Sequence, residues 1–198
     1  MTQYPLAAPR VGVLGDVVPG ARVRDVALVI AGAALTALGA QISIMTEASP
    51  VPITGQTLGV VIAGAALGAR RGALSQLLYV LAGFVLPIYS GGAHGLDVIW
   101  GASGGYLVGF VLAAGLIGWL AEHGADRRPL SATAAFVVAQ LSVFLIGVPW
   151  LKVAIDVSWG TAIHEGFVVF IIGGLIKAAL AGVLAPAAWR LVRRIDRG

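Results

Sequence analysis

The sequence predicts an all-α integral membrane protein of six transmembrane helices with both termini cytoplasmic, and three observations lead there. Of 198 residues, 59% are apolar and 11% charged, whereas an average soluble domain carries about 25% charged residues. So few polar groups could not cover a water-facing surface. The apolar residues fall into six runs, and none of the ten-residue alternating segments of an outer-membrane barrel is present. The basic residues, finally, fall almost entirely on one side of that segmentation.

Residues 1–25 read as a cytoplasmic tail, because Pro5, Pro9, Arg10, Asp16, Pro19, Arg22 and Arg24 leave no apolar run long enough for a signal peptide or a span. The membrane domain covers residues 26–189. Its first span runs from Val26 to about Met45 and is broken by Glu47, Pro50 and Pro52. A second runs from about Thr57 to Ala69 and is closed by Arg70 and Arg71; a third runs from Gly72 to about Leu86 and stops at Pro87. Thirteen residues at 1.5 Å each reach only about 20 Å of a core about 30 Å thick. Short, Gly-interrupted membrane segments point to a binding site. After the Gly-rich stretch from Tyr89 to Gly105 come a fourth span (Tyr106 to Ala121), a fifth (about Ser131 to Leu151) and a sixth (about Phe167 to Trp189). Residues 190–198 form a basic cytoplasmic tail.

Six spans put Arg10, Arg22, Arg24, Arg70, Arg71, Arg127, Arg128, Arg190, Arg193, Arg194 and Arg197 on one side, Lys152 alone on the other, and Lys177 inside the sixth span. The positive-inside rule makes the Arg-rich side cytoplasmic. Trp119 and Trp189 near inner ends, and Trp100 and Trp150 near outer ends, suit an interfacial belt. The basic pI of about 10.0 is therefore topology rather than a nucleic-acid footprint, which would cluster on one face. The hexapeptide IAGAAL begins at both Ile30 and Ile62, either as an internal duplication or as small-residue helix packing. Ala33-xxx-Ala37, Gly64-xxx-Gly68 and Gly105-xxx-Gly109 mark packing faces of the same kind.

Catalytic chemistry has little to stand on. His94, His123 and His164 lack zinc spacing, the chain has no Cys, and no G-x-S-x-G elbow or Walker loop occurs. No cofactor or metal site is expected, and ATP-driven transport would need another subunit to hydrolyse ATP. Intramembrane Ser, Thr and Gln read as bridges between helices. Lys177 is different, because a charge near the bilayer centre costs at least about 2.5 kcal/mol. Either it bonds Asp97, Asp156, Glu165 or backbone carbonyls, or its partner is an anionic or carbonyl group of a ligand.

The stretches VPITGQTLGVVIAGAALG (from Val51), RRGALSQLLYVLAGFVLPIYSGG (from Arg70), GASGGYLVGF (from Gly101), GVPWL (from Gly147) and GLIKAALA (from Gly174) resemble the BioY family. Its members are the biotin-binding S-components of energy-coupling-factor (ECF) transporters. The resemblance implies the six-helix S-component fold, an extracytoplasmic biotin pocket capped by loops, and a prokaryotic cytoplasmic membrane as location. It also implies small residues on the first helix, here Ala33 and Ala37, that dock on a transmembrane coupling subunit joined to two ATPases; some members work without those subunits, as a solitary oligomer. Ligand-binding candidates are Gln56, Tyr106 and Lys177, the only fixed cation in reach of a carboxylate. The Ser90, Gly91 and Gly92 loop could close over the ligand, while Trp100 and Trp150 offer apolar walls or belong to the belt. The last helix departs from the family's P-F-x-x-G-D-x-x-K, with Val169 for the Pro and Gly174 for the Asp; Asp97 and Asp156 are the acids that could replace it. A divergent S-component for another small hydrophobic carboxylate, and a small membrane enzyme, are the alternatives to biotin uptake.

Overall fold

The computed structural model describes residues 12–18, 20 and 22–195, without the side chains of Arg193 and Ile195. Residues 1–11 and 196–198, with Pro5, Pro9, Arg10 and Arg197 of the predicted tails, lie outside the described residues, as does Pro19. The described residues are mostly helical: α1 (Arg22–Gln41), a two-stranded hairpin of β1 (Ser43–Thr46) and β2 (Ser49–Thr54), α2 (Gln56–Leu67), α3 (Ala69–Ala82), α4 (Leu96–Trp100), α5 (Gly104–Glu122), α6 (Pro129–Ala154), α7 (Trp159–Gly166) and α8 (Ile171–Ile195). Four stretches, Arg22–Gln41, Gly104–Glu122, Pro129–Ala154 and Trp159–Val192, are long and apolar enough to cross a membrane, and α2 is apolar but shorter.

Three boundaries differ from the sequence expectation, each for a physical reason. The first helix ends at Gln41 instead of continuing to Met45, because Ile42 to Thr46 is rich in β-branched residues and pairs antiparallel with β2, Ile44 opposite Ile53. Before Arg22, the described part of the predicted tail is folded: residues 14–17 form a 3-10 turn and Val13 is buried. After Trp189, α8 carries on through the basic segment to Ile195.

Side chains too small to keep backbones apart set the helix packing. A Cβ on Gly64 of α2 would overlap Ile117 and lie 2.6 Å from the Ala114 carbonyl oxygen of α5, while one on Gly72 of α3 would lie 2.8 Å from the Gly64 Cα. One on Gly118 would overlap the backbone of Gly68, the residue whose φ of +85° turns α2 into α3. Ala33 and Ala37 belong to this interior: Ala33 is buried and Ala37 packs on the same core cluster. The pair expected to dock on a partner therefore faces inward, and the outer face of α1 carries exposed Ile30, Ala34 and Leu38. Between α1 and α3, Thr36 Oγ1 donates to Gln76 Oε1 at 3.0 Å, and within α3 Gln76 Nε2 donates to Ser75 Oγ at 3.0 Å, which satisfies buried groups that water cannot reach.

One end of the bundle is stitched by charges. Arg71 bonds Asp16 and Asp25, the Ala69 N–H donates to Glu122 at 2.9 Å, and Arg127 donates to the Gly12 carbonyl at 3.1 Å. Trp189, expected in a belt, is instead buried, with its indole N–H donating to Asp126 and the Arg127 guanidinium 3.7 Å over its ring. Burial by itself would raise the Asp16 carboxyl, but hydrogen bonds from Arg71 and the Val13 N–H, with the charge of Arg71, hold it below its ordinary value. Burial pushes Asp126 up.

Gly118→Ala lowers stability by about 1–3 kcal/mol in thermal unfolding in detergent, since backbone must move. Gly115→Ala, one turn away, where a Cβ meets nothing closer than 3.7 Å, is neutral or gains up to about 1 kcal/mol of helix propensity. Because the Asp16 carboxyl titrates lower when folded than when unfolded, its contribution is present above the ordinary carboxylate range and is lost as pH falls through the lowered value. The melting temperature of wild type thus falls on acidification below about pH 4 more steeply than that of Asp16→Asn.

Candidate functional site

At the end of the bundle opposite the charged stitching, the helices part around a cavity of about 370 Å³. Its cover is the β1–β2 hairpin, the loop at Tyr89 to Ala93, and α4; its walls come from the first turns of α2 and α5, the middle of α6 and the first half of α8. Val51, Leu107, Phe110, Val143, Phe144 and Phe170 make it largely apolar. Two prolines in β2, Pro50 and Pro52, are tolerated because this two-stranded sheet has only edge strands.

Lys177 is the cation on the cavity wall. Its ammonium donates to the Thr54 carbonyl at 2.6 Å and to Thr57 Oγ1 at 2.9 Å, so α8 is tied to the end of the hairpin and the start of α2. Neither Asp97, Asp156 nor Glu165 pairs with it; a backbone carbonyl and a hydroxyl do so instead. Two of its three hydrogens are spent, and one is left for a group in the cavity. Gln56 follows the hairpin at the head of α2, where Thr54 Oγ1 donates to its Oε1 at 2.7 Å and its Nε2 donates to the Tyr79 hydroxyl at 2.7 Å. Tyr79 in turn donates to the Ile88 carbonyl at 3.2 Å. Tyr106 is buried in the first turn of α5, seated against Gly147 and Gly166, where side chains would strike its ring and hydroxyl. Its hydroxyl donates to the Gly166 carbonyl at 2.9 Å.

Of the sequence candidates, Gln56, Ser90, Gly91, Tyr106 and Lys177 line this cavity, as does Asp97 at its rim. Ser90 shares a 2.6 Å hydrogen bond with Ser43 of the hairpin. Gly91 and Gly92 are glycine for their positive φ, +65° and +77°, and not for a close approach, since a Cβ on either meets nothing within 4 Å. Gly92, Trp100, Trp150 and Asp156 lie outside the cavity lining. Trp100 stacks on Trp150 at 5.9 Å outside it, Trp150 packs on Gly105 and donates to the Gly101 carbonyl at 3.0 Å. Asp156 is exposed beyond the end of α6, with φ +50°. Gln140 and Thr57 line the cavity without having been singled out from the sequence. For Gln140 the signal was present, a lone amide in the apolar run VVAQLSV, but such amides were grouped with helix bridges. Among the described residues, no group of His, Cys, Asp and Glu could hold a metal ion.

Comparison with known proteins decides the family. The BioY family model matches residues 10–194. The chain belongs to the BioY family. It is 33% identical over 171 residues to the biotin transporter BioY2 of Lactococcus lactis subsp. cremoris, covering 86% of this chain and 92% of the relative. It is 36% identical over 175 residues to the biotin transporter BioY of Rhizobium etli, covering 83% and 92%. A crystal structure of the S-component for biotin from an ECF-type ABC transporter superposes with a TM-score of 0.77 at 25% identity, covering 85% of this chain and 92% of that one. This BioY-family chain is accordingly a multi-pass membrane transport protein of prokaryotic type with the S-component fold, and not an enzyme.

Tyr106→Phe leaves the buried Gly166 carbonyl without its donor, and thermal unfolding in detergent registers a loss of about 1–3 kcal/mol.

Proposed function

We propose that this chain is a substrate-capture subunit for biotin uptake across the cytoplasmic membrane. In this reading α1, α2, α3, α5, α6 and α8 all cross the membrane, both termini are cytoplasmic, and the cavity faces outward. The observation that carries it is one ammonium, Lys177, with a hydrogen unspent, on the wall of a largely apolar cavity. Relatives of this chain across most of its length are biotin transporters. A volume of about 370 Å³ lies within the range of about 300–1,000 Å³ for small-molecule pockets. Aromatic and aliphatic walls suit the thioether ring and aliphatic tail of biotin, and Lys177 supplies a charge-assisted bond to an oxygen of the ligand, carboxylate or ureido carbonyl. Gln56 and Tyr106 fix the shape of the pocket through the bonds described above, and Ser90 and Gly91 belong to its cover.

Energy comes from a transmembrane coupling subunit and two ATPase subunits or, without them, the chain works as an oligomer of its own in the lipid bilayer. With Ala33 and Ala37 turned inward, the α1 surface left for such a subunit is the face with Ile30, Ala34 and Leu38. A second reading, a different small hydrophobic carboxylate, is favoured by Gly174, where the family pattern has an acid.

Equilibrium binding of labelled biotin to the purified protein in detergent, with unlabelled biotin and other small carboxylates as competitors, tests both. Nanomolar binding of biotin is expected, and Lys177→Met weakens it by about 10- to 100-fold through loss of a charged hydrogen bond. Biotin affinity unchanged in Lys177→Met, together with raised stability, makes the lysine structural. Competition only by other carboxylates selects the second reading.

A further inference from the structure

Gln140 is a polar group of the cavity that the reading above leaves unused. It stands midway along α6, 8% exposed, on the cavity wall. Among the described residues it has no hydrogen-bond partner, whereas the other buried glutamines, Gln56 and Gln76, are bonded within the protein. A buried amide with its donors and acceptor unspent needs a reason, and the cavity supplies one. Facing it on α8 is Gly174, one turn before Lys177; a Cβ there would overlap the Gln140 amide nitrogen. The glycine leaves the room that the amide fills. The missing side chain on α8 and the amide present on α6 are therefore two sides of one arrangement, in which a neutral group from the neighbouring helix occupies the space beside position 174.

We propose that Gln140 is the specificity-determining residue for the head of the ligand, pairing its side-chain amide edge to edge with a cyclic urea. This deepens the biotin reading and rests on it. A urea edge presents one N–H beside one C=O, and a primary amide presents the complement: Oε1 accepts from the ring N–H while Nε2 donates to the ring carbonyl. Two parallel bonds form with no charge on either side. A carboxylate at this place would satisfy only the N–H and would face the carbonyl oxygen with a second acceptor. A cyclic guanidinium, as in iminobiotin, offers two parallel N–H groups and matches a carboxylate instead.

The test is competition binding with labelled biotin and unlabelled iminobiotin, under conditions that keep the guanidinium protonated, using purified wild type, Gln140→Leu and Gln140→Glu in detergent, each checked for thermal stability. Gln140→Leu is expected to weaken biotin binding at least about tenfold by removing two hydrogen bonds, while melting no lower than wild type because an unpartnered amide has gone. Gln140→Glu is expected to reverse the preference, weakening biotin and strengthening iminobiotin, with a combined shift of about 100-fold. Wild-type affinity in Gln140→Leu overturns the assignment, and so does an equal loss of both ligands in Gln140→Glu. Wild type that is well folded yet binds no biotin overturns the functional reading beneath it.

Discussion

Backbone contact at the charged end of the bundle is the constraint on which the rest of the structure depends. Gly64, Gly72 and Ala114 bring α2, α3 and α5 together at distances that no larger side chain would permit, and in a bilayer such contact supplies dispersion attraction where no hydrophobic driving force separates helix from lipid. Toward the other end the same helices carry Tyr79, Tyr106 and Phe110, with Phe144 on α6 and Phe170 ahead of α8. Helices pinned close at one end and held apart by rings at the other must diverge. The cavity is the space between them, and the hairpin that follows α1 covers it.

The electrostatics of the cavity follow from its walls. An ammonium inside a membrane protein needs partners, and Lys177 obtains them from the Thr54 carbonyl and the Thr57 hydroxyl. Among the described residues no carboxylate is ion-paired with it, and Asp97 stands at the rim of the same cavity. At the opposite end of the bundle Arg71 is ion-paired with both Asp16 and Asp25. The protein thus places its ion pairs where the helices are pinned, and an ammonium bonded to neutral oxygens where it has space.

Much of the helical frame was legible in the sequence, because apolar runs separated by arginines leave little choice of segmentation. The hairpin was not, since Ile42 to Met45 is as apolar as the helix before it and only its β-branched residues distinguish it. Ala33 and Ala37 could be recognised as a packing face, but α1 has small residues on several faces and spacing does not say which one turns inward. Cavity residues were legible mainly where a long motif carried them, as for Gln56, Tyr106 and Lys177. For Trp100 and Trp150 the sequence left two places open, because an aromatic ring near a helix end suits a pocket wall and an interfacial belt equally. Gln140 lies outside those motifs, and its position depends on a glycine 34 residues further on, a relation that only the fold brings together.

The tryptophan pair outside the cavity has a use of its own. Trp100, 68% exposed at the end of α4, stacks on Trp150, whose indole is held by the carbonyl of Gly101, itself on the cavity wall. Because α4 forms part of the cavity's cover, any displacement of it would change the stacking and hydration of that pair, and with them its intrinsic fluorescence. The protein carries an optical reporter of its own mouth, with no label attached.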